Sequence, residues 1–140
     1  MGRYDLRFPC NLVRQAFNVE EYWKVIVYYD VDCGFLRPLY KELRSIGFPK
    51  DDIKEIFWEL KRENAKAVTC SNGAYHTSVV ALKKHPLAED YINSIIHEAE
   101  HIKQAMLSTY MIEDRGEPPA YTIGYLVMRM WRVFRQFLCS

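Results

Sequence analysis

The stretch "LAEDYINSIIHEAEHIKQAMLSTYMI", residues 87–112, places Ile92, Ile95, Ile96 and Ile102 at the three- and four-residue spacing of a helix. It predicts one continuous helix of about six or seven turns. Pro86 closes whatever precedes it. The rest of the chain can be read outward from this helix.

Upstream, "AKAVTCS" (65–71) and "AYHTSVVALKKH" (74–85) are strand candidates joined by Asn72-Gly73, a strong short-range hairpin cue. In the second, Tyr75, Thr77 and Val79 alternate with His76, Ser78 and Val80, so one face is expected to meet the core. "PKDDIKEIFWELKREN" (49–64) predicts an amphipathic helix with Ile53, Ile56, Phe57 and Leu60 inward and an acidic start suited to the helix dipole. "FLRPLYKELRSIG" (35–47) predicts another, with Leu36, Leu39 and Leu43 at helical spacing, Gly47 as its stop, and Pro38 tolerated if the helix begins near Arg37. "YWKVIVYYDV" (22–31), rich in β-branched and aromatic residues, predicts a largely buried strand ended by Asp32, Cys33 and Gly34.

Downstream, "EDRGEPP" (113–119) is a loop and "AYTIGYLVMRMWRVFRQFL" predicts a last helix within residues 118–138. Ile123, Val127, Met130 and Phe134 share one side of it; Arg129, Arg132 and Arg135 form a solvated flank. Residues 1–21 read as an N-terminal arm, 22–86 as strands and two helices, and 1–140 as a single domain. The order predicts an α+β fold: a small, mainly antiparallel sheet packed on the long helix and the C-terminal helix.

Composition sets the outer bounds. Hydrophobic residues make 49% and charged residues 26% of the chain, ordinary for a globular domain. A formal net charge of +1 gives no reason to expect nucleic-acid binding. No apolar run approaches the roughly 20 residues of a membrane span. The 4 cysteines (Cys10, Cys33, Cys70, Cys139) are dispersed, and the N-terminus lacks the apolar core of a secretory signal, so a cytoplasmic protein is expected.

The chemistry-bearing signal is H-E-x-x-H over His97, Glu98 and His101. Residues four apart lie on one helical face, so two imidazole nitrogens can meet one ion. Glu98, turned aside, can reach a metal-activated water without being a ligand. A catalytic zinc also needs a third protein ligand. Glu117, beyond a Gly-containing turn and opening the last helix, is the leading candidate, with Glu113 and Asp114 as nearer rivals. Zinc brings the pKa of bound water to about 7; Glu98 would serve as general base, and Tyr121, one turn beyond Glu117, is a candidate oxyanion donor or else a core tyrosine.

With these residues in place, the sequence resembles the gluzincin group of zinc metallopeptidases in minimal form. The order "AVTCSN", "SVVAL", "IIHEAEHIKQAM" and "GEPPAYTIGYL" is more closely similar to small zincin-like proteins from phages and mobile elements of gut Bacteroidetes. The resemblance covers roughly residues 22 to 130. It implies a zincin fold, Zn2+ held by His97, His101 and Glu117, Glu98 as base, and a bacterial cytoplasm if phage-encoded. It also implies that a peptide or protein substrate adds to an edge strand, here from Tyr75 to Leu82; charge and hydropathy, as above, lead us to expect no nucleic acid and no membrane as partner. The expected function is a zinc-dependent metallopeptidase or amide hydrolase. The competing expectation is a catalytically silent binding or structural module. One departure is Tyr121, which stands where larger gluzincins carry an acid that orients a histidine. Glu100 and Asp114 are the weak substitutes for that role. Asp30 with Asp32, His76, His85 and Cys33 have plainer readings as capping, surface or loop residues.

Overall fold

The computed structural model describes residues 12–31 and 36–138. Four strands, β1 (Val13–Val19), β2 (Trp23–Tyr29), β3 (Ala67–Asn72) and β4 (Thr77–Leu82), form one sheet in the order β1-β2-β4-β3. β1 pairs antiparallel with β2, β3 pairs antiparallel with β4, and the central β2–β4 pair is parallel, with Val27 opposite Val80. The helices are α1 (Arg37–Ser45), α2 (Lys50–Lys61), α3 (Ala88–Thr109) and α4 (Glu117–Phe134). The α+β expectation, with two of three strand pairings antiparallel, is what the chain forms.

The sheet is covered on both faces. Trp23, Val25, Val27 and Tyr29 of β2 join Val80 and Leu82 of β4 against Tyr91, Ile95, Ala99 and Ile102 of α3 and Leu126, Met130 and Phe134 of α4. The alternate residues Ile26, Tyr28, Val79 and Ala81 pack on Leu39 and Leu43 of α1 and Ile53 and Leu60 of α2. Each side of a central strand meets its own helical layer, so the expectation that one face of the Thr77–Val80 stretch meets the core is corrected: both faces of β4 are buried. Ser78, fully buried in β4, is tolerated because Trp23 Nε1 donates to its hydroxyl at 2.9 Å and Ser71 shares a 2.6 Å bond with it.

Three further expectations are corrected. The supposed N-terminal arm contains a strand, β1. Its inward alternation is masked in the sequence by Gln15, whose amide is satisfied inside: Oε1 accepts from the Tyr29 hydroxyl at 2.7 Å and Nε2 donates to the Arg129 carbonyl at 2.8 Å. The strand at residues 75–82 is not an edge. Thr77–Leu82 lies between β2 and β3 with all six residues buried, and Tyr75 belongs to the helical turn Gly73–Tyr75. The edge is β3. Finally, Asn72-Gly73 does not make a two-residue hairpin: Asn72 opposes Thr77, so the loop holds four residues. Asn72 Oδ1 accepts from the Ala74 amide, and Asn72 Nδ2 donates to the Ile46 carbonyl at 2.8 Å.

Gly47 ends α1 as expected, at φ +92°, a conformation that suits glycine; a Cβ there would stand 2.8 Å from Tyr75 Cε1. Among the described residues, no helix is long and apolar enough to cross a membrane.

Candidate metal centre

α3 begins after Pro86 with Glu89 and Asp90 in its first turn, where carboxylates favour the helix dipole. Its buried residues include Tyr91, Ile95, Glu98, Ala99, Ile102 and Met106, while Ile92 and Ile96 are exposed. The apolar face is therefore rotated from the one expected, toward the sheet and β3. That rotation decides where the motif points.

His97 and His101 are exposed, and their Nε2 atoms are 3.2 Å apart. A tetrahedral zinc with nitrogen ligands at about 2.0–2.1 Å holds its donor atoms about 3.3–3.4 Å from one another. The two nitrogens share a hydrogen bond at this distance, which an ion would replace, and their spacing is close to that of two corners of one coordination shell. Imidazole nitrogens serve zinc, copper, nickel and iron alike.

Glu98 lies about 100° around the helix from His97. It is 5% exposed, and its Oε1 accepts a 2.7 Å hydrogen bond from the Thr69 hydroxyl of β3. With Lys66 Nζ 3.9 Å from Asp90 Oδ2, this bond sets β3 running alongside α3. Thr69 stands in the "AVTCSN" segment that carried the resemblance, but its role appears only once β3 is placed beside the helix.

Glu117 is not brought to the histidines. Among the described residues, no group of three His, Cys, Asp or Glu side chains is placed to hold one ion. Glu117 and Tyr121 instead line a cavity with Met106, Leu107 and Tyr110, which project roughly 120–180° around α3 from His101. Gly116, at φ 80° and ψ −153°, turns the chain so that α4 starts on that opposite side. Tyr121, 60% exposed, is neither an oxyanion donor for the pair nor a core residue.

The rival carboxylates are committed elsewhere. Glu113 bonds Arg115 at 2.8 Å. Asp114 and Glu100, the substitutes for a histidine-orienting acid, both hold Lys103 Nζ at 2.7 Å. The hydrogen bond to Lys103 keeps the Glu100 carboxyl below the usual carboxylate range, and the bonds to Asp114 and Glu100 push the Lys103 ammonium up.

His85 is structural. Its Nδ1 donates to the Lys83 carbonyl at 2.7 Å, which leaves Nε2 to accept from Ser94 at 2.8 Å. His76 packs its ring on Trp23 and Tyr110. Asp30 is buried, while Asp32 and Cys33 lie outside the described residues. Cys70, a free thiol, is raised to about 12 by burial and then by the nearby Glu98 charge, so it is no nucleophile. Comparison with protein families, with curated proteins and with solved structures finds no match to this chain.

Proposed function

We propose that this chain is a metal-binding module that holds a divalent cation such as zinc through His97 and His101 on the solvent face of α3. The observation that supports the reading is the 3.2 Å separation of the two Nε2 atoms on an exposed helical face. Glu98 serves the fold in this reading: it fixes β3 to α3 through Thr69. When bound, zinc would supply a localised positive charge and Lewis acidity at the α3 surface. A free buried thiol at Cys70 fits the reducing cytoplasm in which we place the protein.

Zinc content of the purified protein, measured with a chromophoric chelator, tests the proposal. Near-stoichiometric zinc that is lost in both His97→Ala and His101→Ala supports it. Zinc that is absent, or that survives both substitutions, overturns it.

A second reading, the zinc-dependent peptidase or amide hydrolase, has one observation in its favour. β3 is an edge strand, open to strand addition along Ala67–Asn72, and its Thr69 bonds Glu98, the residue next to His97. It requires a third ligand that the described residues do not provide. Cleavage of a peptide library by the zinc-loaded wild type, abolished in a zinc-retaining Glu98→Gln variant, would establish it; no cleavage leaves the binding module.

A further inference from the structure

We propose that the cavity between the β1–β2 turn and the adjoining ends of α3 and α4 binds a small organic cation, an ammonium group carried on an apolar body. The cavity holds about 680 Å³, within the range of about 300–1,000 Å³ typical of small-molecule sites. Met106, Leu107 and Ile112 give it an apolar floor, and Tyr22, Tyr110 and Tyr121 supply aromatic rings. Among the described residues that line it, the charged ones are Glu20 and Glu117. Neither has an ion-pair partner among the described residues.

The sign of the ligand charge follows from the helix that opens into the cavity. A helix N-terminus usually offers backbone N–H donors to an anion. α4 begins Glu117-Pro118-Pro119, so two of those positions carry no donor and a third brings a carboxylate. Aromatic faces beside carboxylates recognise ammonium groups by cation–π attraction and charge pairing. An anion would meet two carboxylates and a depleted set of donors.

The rim is also built to hold its shape. Glu20 and Glu21 stand at φ 50° and 66°, left-handed conformations that side chains other than Gly and Asn rarely adopt. The turn is pinned from both helices: Tyr110 donates to the Tyr22 carbonyl at 2.7 Å, and Tyr125 donates to the Asn18 carbonyl at 3.4 Å. Positive φ at both central residues is what a tight β-hairpin turn requires, and the Tyr22 amide closes this one on the Val19 carbonyl at 3.1 Å.

The test is a methyl-resolved NMR titration of the whole protein with phenethylammonium, 2-phenylethanol and phenylacetate, which share a body and differ in charge. Saturable shifts at Leu107 and Ile112, absent at Ile53 and Leu60, are expected for the ammonium, with the alcohol several-fold weaker and the carboxylate weaker still. The double variant Glu20→Gln, Glu117→Gln should lose about tenfold in ammonium affinity while its melting temperature is kept. Equal binding of the three probes, shifts outside the cavity, or a variant that binds the ammonium as well as wild type would overturn the proposal.

Discussion

The Thr69 hydroxyl donates a 2.7 Å hydrogen bond to Glu98 Oε1, joining an edge strand to the middle of the longest helix. A buried carboxylate is tolerable only with such a partner. Glu98→Gln keeps an acceptor at the same place and should cost under about 1 kcal/mol. Glu98→Ala removes the acceptor, strands the Thr69 hydroxyl and opens a void, for a loss of about 2–4 kcal/mol. Urea denaturation of both variants measures the difference; equal stabilities would show that the bond does not hold β3.

Zinc should stabilise the folded chain by mass action. At a free concentration of a hundred times Kd the gain is about 2.7 kcal/mol. His97→Ala or His101→Ala should abolish that gain and, because both side chains are exposed, shift the metal-free protein by no more than about 0.5 kcal/mol. Thermal melts with and without chelator read both numbers. A zinc-induced shift that persists in the single variants would move the metal elsewhere.

Two ion-pair clusters set the pH response. Burial alone raises the Glu42 carboxyl, but the bonds from Arg14 at 2.8 Å and Tyr28 at 2.7 Å outweigh it and leave it lowered. Glu100 is lowered by Lys103. A depressed carboxyl contributes stability that is complete above its unfolded value of about 4.3 and is lost as pH falls through the folded one. Lys103, raised by Asp114 and Glu100, contributes below its unfolded value of about 10.4 and loses it as pH rises through the folded one. Melting temperature should therefore drop on acidification below about pH 4 and again above about pH 10. Lys103→Met should flatten both limbs, and an unchanged profile would remove the cluster from the account.

Cys70 should resist alkylation. Its thiol, raised to about 12 by burial and by Glu98, is almost wholly protonated at neutral or mildly alkaline pH. Native protein treated with iodoacetamide should leave the Cys70 peptide unmodified by mass spectrometry, and the same treatment in urea should label it. Native labelling at an equal rate would show that β3 opens freely.

The strong periodicities were legible. α1, α2, α3 and β2 follow from apolar spacing, and Gly47 stops α1 for the conformational reason the sequence suggests. β1 was hidden because Gln15 occupies an inward position and becomes acceptable only through partners from β2 and α4. The H-E-x-x-H spacing brought His97 and His101 together, since four residues fix a shared face. Spacing does not say which flank of the helix a strand will cover, and the placement of β3 turned Glu98 inward. The position of Glu117 depends on the backbone at Gly116, a property of the turn that no count of intervening residues encodes.

The parallel pairing of β2 with β4 has a consequence for synthesis. A strand apolar on both sides leaves the ribosome well before its neighbour, and α1, α2 and β3 must all emerge before Thr77 can meet Lys24. Until then β2 can associate with β1 alone, its other flank open to strands of other nascent chains. Expression at lower temperature or with a holdase chaperone should raise the soluble yield, because the vulnerable interval lies in translation and not in the finished fold.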